Sequence, residues 1–280
     1  MTNVKFSVVI PLFNKVDSIV RTLTSITNQR LAPSEIIVVD DGSTDGSAEK
    51  VESLDIPNLT LVRQRNQGVS VARNNGVSLA KHKYVAFIDA DDQWSVFFLY
   101  EMNKLIQRFP NHECFASAYQ KVLEGECFKD PKIVMPEVSA KGEVMNDYFA
   151  VCAEGDLPFM PSSLIMTVDL FESVGGFPAG EAMGEDQALF SNIALQTGIV
   201  YSPLVLMLYH TDSENRACER HLPQDLLPFA KRLMIQAVEG KRSEKSKRDM
   251  IKYCAAHACH LVKLNLKAGN LQAAKHILNY

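Results

Sequence analysis

A chain of 280 residues with 46% hydrophobic and 22% charged residues can bury a sizeable core, in one large α/β domain or in one domain with a smaller appendage. Its formal net charge of -4 speaks against nucleic acid as a partner of the whole protein. No run of about 18 apolar residues occurs, so no transmembrane helix is expected.

The opening, MTNVKFSVVIPLFNK, does not read as a signal peptide, because Pro11 and Asn14 cut its apolar run short. The six cysteines, at 114, 127, 152, 218, 254 and 259, form no framework. Reduced thiols and a cytoplasmic protein are the expectation. Cys254, His257, Cys259 and His260 cluster near the end. They lack a paired C-x-x-C knuckle, so a helix face competes with a zinc site there.

The first elements alternate. Phe6–Ile10 is a short apolar run that reads as a strand, and Ile19, Val20, Leu23 and Ile26 recur at helical spacing over Ser18–Gln29. Strands at Glu35–Val39, Leu59–Arg63 and Tyr84–Ile88 are each followed by a helix, at Asp45–Leu54, Val69–Lys81 and Val96–Phe109. Buried, β-branched strands alternating with helices mean a doubly wound, mainly parallel sheet, with ligands at the carboxyl ends of the strands. Residues 110–160 read as irregular. A strand at Pro161–Val168, a helix at Gly184–Gln196 and a strand at Ile199–Tyr209 follow, and from about Leu222 the pattern is helical. The expected organisation is a domain over 1–218 and a helical extension over 219–280.

Each of the first strands ends in polar chemistry. The first ends in Pro11, Phe13 and Asn14, and the second in VVDDGSTDGS with Asp40 and Asp41. NQGVSVARNNG, carrying Arg73 and Asn74, follows the third, and DADD, with Asp89, Asp91 and Asp92, ends the fourth. A parallel sheet brings all four to one edge. Dense carboxylate there suits a hard divalent cation, which takes one or two protein carboxylates together with substrate phosphates. Alternatively, such residues decorate a solvated helix N-terminus, where acid is favoured by the dipole. The same two readings apply to Glu185-Asp186, which opens a helix after a glycine-rich turn: dipole compensation, or a carboxylate that takes a proton from an acceptor. Asp41, Ser43, Asp45, Gly46 and Glu52 match the spacing of a calcium loop. The strand EIIVV stands where that motif needs a helix, so the stretch is read as a strand-to-helix turn with Thr44 or Asp45 as its cap.

SVVIPLFNK, IIVVDDGSTDGS, NQGVSVARNNG, YVAFIDADD and GGFPAGEAMGEDQALF, in this order over about residues 4–210, resemble family 2 glycosyltransferases. The resemblance implies a GT-A fold and an inverting, metal-dependent transferase of the hexosyltransferase type. It implies a nucleotide-sugar donor, a UDP-sugar, and Mn²⁺ or Mg²⁺. Pro11 and Phe13 would line the base and ribose pocket, Asp41 with Asp40 would hold the base, and Arg73 would sit near the nucleotide. Asp89 and Asp91 match the D-x-D pair, Asp91 being the metal ligand with Asp92 adjoining. Asp186 matches the general base, with Glu185 beside it, and His210 lies where some members approach the metal or diphosphate.

The pattern departs from processive members, since no Q-x-x-R-W motif occurs and Trp94 is the sole tryptophan. A non-processive enzyme of cell-surface polysaccharide or lipopolysaccharide synthesis is implied, acting on a saccharide or lipid-linked saccharide. Two alternatives compete with it. A sugar nucleotidyltransferase would carry a Gly-rich, Arg-containing loop where this chain has PLFNKVDS. An inactive binding protein would have lost the D-x-D or the base. Between 231 and 252, eight basic residues stand against three acidic ones. They form either a solvated helix face or a peripheral contact with anionic membrane lipid at the inner face of the cell membrane.

Overall fold

The computed structural model describes residues 3–124, 127–211 and 222–280. Four strands form the first half of one sheet: β1 (Phe6–Leu12), β2 (Glu35–Asp40), β3 (Leu59–Arg63) and β4 (Tyr84–Phe87). They pair in parallel in the order β3-β2-β1-β4. Their connections are helices α1 (Ile19–Thr27), α2 (Ser47–Glu52) and α3 (Val69–Ser78). β1 is buried along its whole length, because helices cover both of its faces. Phe6, Val8, Ile10 and Leu12 enter one apolar cluster with α1, and Val9 enters the other, as the two-residue period of a strand demands.

The second half departs from simple alternation. A short strand β5 (Gln93–Trp94) and helix α4 (Phe98–Arg108) lead to β6 (Cys114–Leu123). β6 lies within the stretch expected to be irregular. Its residues 114–119 are buried, yet Cys114, Ala116, Ser117 and Ala118 are too small or polar to announce a strand. Its neighbours define it: β9 (Leu164–Thr167) on one side and β10 (Ile199–His210) on the other. β9 is antiparallel to both β4 and β6, while β6 and β10 are parallel. The six strands β1–β4, β6 and β10 therefore run the same way. The ends of β1, β2, β4 and β10 meet at one edge, as the mainly parallel reading requires. Short strands β7 (Cys127–Lys129) and β8 (Glu143–Met145) pair antiparallel with β6 and β10.

Helices α5 (Tyr148–Glu154), α6 (Val168–Ser173) and α7 (Glu185–Gln196) cover the second half. They are joined by α8 (Pro228–Glu239), α9 (Glu244–Lys267) and α10 (Leu271–Leu278). Leu226, Leu227, Phe229, Leu233, Met250 and Tyr253 share one apolar core with Phe149, Phe159 and Phe190. The C-terminal helices are thus packed onto the second half of the sheet. The boundary read at 218/219, and Cys218 with it, lies outside the described residues.

Cys254 is buried and points its thiol at the Ala230 carbonyl, and Cys259 is exposed. His257 packs edge-on against Phe229, and this burial lowers its pKa to about 4. Among the described residues, five of the eight basic residues between 231 and 252 meet protein partners. Lys231 pairs with Asp225, Arg232 with Glu181, Lys245 with Asp249 and Lys247 with Glu244, and Arg242 donates to the Leu195 carbonyl. Among the described residues, no helix is long and apolar enough to cross a membrane.

Candidate active site

The site begins where β4 runs out. The DADD stretch is a turn rather than extended backbone, closed by the Asp92 N–H donating to the Asp89 carbonyl at 3.0 Å. Helix α1 holds the turn from behind. Ser18 Oγ donates to the Ala90 carbonyl at 3.0 Å, Arg21 Nη2 to that of Asp91 at 2.7 Å, and Thr22 Oγ1 to that of Asp92 at 2.7 Å. With its carbonyls satisfied, the turn can send its carboxylates three ways.

Asp92 goes inward. It is 1% exposed, accepts from Ser162 Oγ and from the His210 N–H, and is pushed well above the ordinary carboxylate range by burial and by Asp91 and Asp89. Asp91 forms an ion pair with Lys15 Nζ at 2.7 Å. Asp89 accepts from Arg73 Nη2 at 2.7 Å. Each of the three meets a different partner, which separates the charges, while the repulsion that remains falls on the buried Asp92.

Arg73 is the hub. It projects from α3, which lies close on β1: a Cβ on Gly76 would stand 2.3 Å from Val9 Cγ1, so only glycine admits this approach. The guanidinium donates through Nη2 to Asp89. Through Nη1 it donates to Asp186 at 3.0 Å and to Glu185 at 3.4 Å. The Phe177 ring lies 4.8 Å from its centre, a cation–π arrangement. The neighbouring Asn74 fixes Phe177 by its backbone, donating to its carbonyl and accepting from its N–H. One helical turn, Arg73-Asn74, thereby joins the end of β4 to the GGFP turn and to the start of α7. The Arg73 side chain is 3% exposed, against 27% for Asp89 and 25% for Asp186, so the cation is enclosed while the two carboxylates keep open surface. Its carboxylate partners hold Arg73 firmly protonated against the cost of burial. Burial and the adjacent Glu185 raise Asp186 well above the usual carboxylate range, against the pull of Arg73.

Neighbouring strand ends complete the edge. Pro11 sits inside β1 opposite Val39, and Phe13, half-buried, follows it. Asp40 accepts from the Ser43 N–H. Asp41 is buried and accepts from Gln64 Nε2 and from the N–H groups of Gln67 and Gly68, so its carboxylate shapes the loop entering α3. Asp45 accepts from the Val16 and Ser47 N–H groups and pins the β1–α1 loop to the start of α2, but the N-cap position is Gly46, in the left-handed region, rather than Thr44 or Asp45. His210 ends β10, buried, one hydrogen bond from Asp92.

The structure thus joins Arg73, Asp89, Glu185 and Asp186 directly, sets Asp91, Asp92 and His210 around the same turn, and lays Pro11, Phe13, Asp40 and Asp41 on the adjoining strand ends. Three participants escaped the sequence reading: Lys15, Ser162 and Phe177. A lysine directly after a strand end could have drawn notice, since a basic group there faces the acidic edge. Ser162 carried no such signal.

Among the described residues, no group of three or more His, Cys, Asp or Glu side chains forms a cage for a metal. A hard divalent ion sharing its ligands with substrate phosphates needs only one or two protein carboxylates. The oxygens of Asp91 and Asp89 fit that donor set.

A doubly wound sheet with a carboxylate turn at one strand end and a second carboxylate pair across an arginine places its charged groups at the carboxyl ends of the strands, where such sheets bind ligands. The profile of "Glycosyl transferase family 2" matches residues 7–147, half of the chain, and the chain belongs to that family. It is 46% identical over 91 residues to the uncharacterized glycosyltransferase YibD of Escherichia coli (strain K12), covering 32% of this chain and 26% of that protein. It is 39% identical over 115 residues to the amylovoran biosynthesis glycosyltransferase AmsB of Erwinia amylovora, covering 39% and 38%. The matched stretches are well under half the length of these relatives. In fold it resembles S. aureus TarS 1-349 in complex with UDP-GlcNAc, with a TM-score of 0.73 at 20% identity over 91% of this chain and 73% of that one.

Proposed function

We propose that this chain transfers a hexose-type sugar from a UDP-sugar to an acceptor hydroxyl, with inversion at the anomeric carbon. The acceptor would be a saccharide or lipid-linked saccharide of a bacterial surface polysaccharide or lipopolysaccharide, and the cytoplasm the place of reaction. The observation that carries the reading is the Arg73 junction, which holds Asp186 at a fixed place relative to Asp89 in the D-x-D turn.

The roles follow from the chemistry. Asp186, raised above the usual carboxylate range by burial and Glu185, is suited to take the proton of an acceptor hydroxyl as it attacks. One displacement assisted by one carboxylate inverts configuration, as in single-displacement glycoside chemistry. Mn²⁺ or Mg²⁺ at Asp91, with Asp89 and His210 near, would supply Lewis acidity to the leaving diphosphate. Lys15, paired with Asp91, supplies positive charge at the same place. Phe13 and Pro11 offer an apolar wall for a base and ribose, with Asp40 and Asp41 shaping the loops beside it. UDP as the nucleotide draws support from TarS, whose crystals contain UDP-GlcNAc or UDP. A role in polysaccharide assembly draws support from the name of AmsB.

The test is release of UDP from a panel of UDP-sugars with Mn²⁺, alongside calorimetric binding of the active donor. The expectation for Asp186→Asn is unchanged donor affinity and a rate lower by about 10²–10⁴-fold, the span of general-base loss. Collapse of donor affinity with normal turnover of bound donor would make Asp186 a binding residue and move the base elsewhere.

A further inference from the structure

The turn that carries Glu185 and Asp186 is gripped on three sides by residues far later in the chain. Before the pair, Glu181 takes both nitrogens of Arg232 from α8, one on each carboxylate oxygen. At the pair, Gly184 is the left-handed residue that opens α7, with φ of 83°. A Cβ there would stand 2.9 Å from Phe229 Cδ1 and 3.0 Å from Leu227 Cδ1. The start of α8 is therefore pressed against the backbone directly preceding Glu185. After the pair, Gln187 accepts a hydrogen bond at 2.7 Å from the hydroxyl of Tyr253 on α9. Tyr253 is itself 3% exposed and packed against the rings of Tyr148, Phe149 and Phe229.

Among the described residues of the sheet half that carries Asp89, Arg73 is the side chain that hydrogen-bonds the Glu185–Asp186 pair. An arginine holding two adjacent carboxylates fixes their distance from Asp89, but it does not fix the backbone that bears them. The contact of Phe229 and Leu227 at Gly184 bears on that backbone directly, and those at Glu181 and Gln187 tether it through their side chains on either side of the pair. A carboxylate that must meet an acceptor hydroxyl within hydrogen-bond reach loses rate steeply when its supporting backbone is loose.

We propose that the C-terminal helices form a clamp on the first turn of α7, and that Tyr253, through its hydroxyl on Gln187, is a positioning residue for the Asp186 carboxylate. The clamp rests on the assignment of Asp186 given above. It makes residues 222–280 part of the active-site scaffold rather than an appendage.

The test uses the full chain and three variants. Tyr253→Phe removes one hydroxyl and keeps the ring packing. Asn270→Ala removes the side-chain cap of α10 and serves as a control for general loosening of the extension. Asp186→Asn is the reference for the base. Two readouts are compared: hydrogen–deuterium exchange of the peptide covering 181–190, and kcat and KM for the UDP-sugar. For Tyr253→Phe, exchange in 181–190 should quicken by about tenfold and kcat fall by about tenfold, the scale of one lost hydrogen bond, with KM for the donor within about twofold. Asn270→Ala should leave exchange in 181–190 and kcat near the wild-type values. The clamp is overturned if Tyr253→Phe leaves exchange in 181–190 unchanged, or if Asn270→Ala quickens it equally. Quickened exchange with full kcat in Tyr253→Phe removes the positioning role. Asp186→Asn at wild-type rate overturns the base assignment instead, while the exchange result still decides whether the clamp exists.

Discussion

Near the ends of β1–β4, the site residues are fixed largely from within the β1–β4 units: Asp40 and Asp41 by the loops that follow them, and the DADD turn by the start of α1, 70 to 72 residues earlier. Asp40 is held by Ser43, Asp41 by Gln64, Gln67 and Gly68, and the DADD carbonyls by three side chains of α1. The turn that opens α7 is held otherwise. Its partners are Arg73, more than a hundred residues earlier, and Leu227, Phe229, Arg232 and Tyr253, all later. The first region is a platform built mainly from consecutive strand–helix units that pack side by side, α1 bracing the turn after β4. The second is an imported part, placed only when distant elements have docked. A binding surface tolerates the first kind of construction. The base proposed for Asp186 demands the second, because its position is measured from the other half of the molecule.

Arg73 bonds both regions, at Asp89 and at Asp186, and its loss should give the largest effect. Arg73→Met leaves Asp89, Glu185 and Asp186 close together with no cation, and removing one partner of a buried charge network costs about 3–5 kcal/mol. The variant should unfold at much lower denaturant and lack transferase activity. Its deficit should shrink as pH falls: three crowded carboxylates without a cation bind protons more readily folded than unfolded, so folded stability declines as pH rises. Arg73→Lys should recover only part, since a lysine cannot fork to Asp89 and Asp186 at once. Urea titrations at several pH values measure this. A loss under about 1 kcal/mol for Arg73→Met would mean that the two regions stand without their shared cation.

A subtler probe separates charge from placement within the α7 turn. Glu185 lies beside Asp186, and after burial it is the largest influence raising the Asp186 pKa. If Asp186 is the base as proposed it works ionised, so the rate should fall as pH drops through that raised pKa, at higher pH than for an ordinary carboxylate. Glu185→Gln removes the like charge and lowers the Asp186 pKa. The acid limb of the kcat/KM profile should therefore move to lower pH while the alkaline side stays in place. Profiles that superimpose would show that Glu185 does not tune Asp186.

The contrast between the regions also accounts for what could be read from the sequence. The alternation from β1 to α4 was legible because strands buried on both faces are continuous apolar runs, as in SVVI and EIIVV. The acidic ends at Asp40, Asp41 and Asp89–Asp92 were legible because carboxylates directly after such runs put negative charge at the mouth of a buried strand, where a cation or a ligand is needed to balance it. β6 was not, since Ala116, Ser117 and Ala118 carry no strand signal and owe their state to β9 and β10. Lys15, Ser162 and Tyr253 act on partners 66 to 76 residues away, and no local periodicity encodes such a pairing. Arg73 was expected beside a nucleotide. Its depth, and its bond to Asp186 across 113 residues, are consequences of two helices meeting.

The smallest effect should come from the hinge of the imported part. Asp225 precedes Leu226 and Leu227, the residues that lead into α8 beneath Gly184. It pairs with Lys231 and with His276 Nε2, and accepts from the Leu226 N–H. The hydrogen bond from Lys231 is the main cause that draws its pKa down to about 2. The side chain is 48% exposed, so water and salt screen the interaction, and exposed pairs contribute only about 0.2–1 kcal/mol. Asp225→Ala should lower the stability at pH 7 by no more than that. The sign of the pH dependence follows from the lowered pKa. The contribution is present above the ordinary aspartate pKa of about 4 and is lost as pH falls from there toward about 2. Wild type and variant should thus converge as pH falls below about 4 in urea titrations. Turnover should be unaffected, in contrast to Tyr253→Phe, because Asp225 touches neither Gly184 nor Gln187. If Asp225→Ala lost kcat to the same degree as Tyr253→Phe, the clamp would be a property of the whole C-terminal bundle, and the Tyr253 hydroxyl would hold no special place in it.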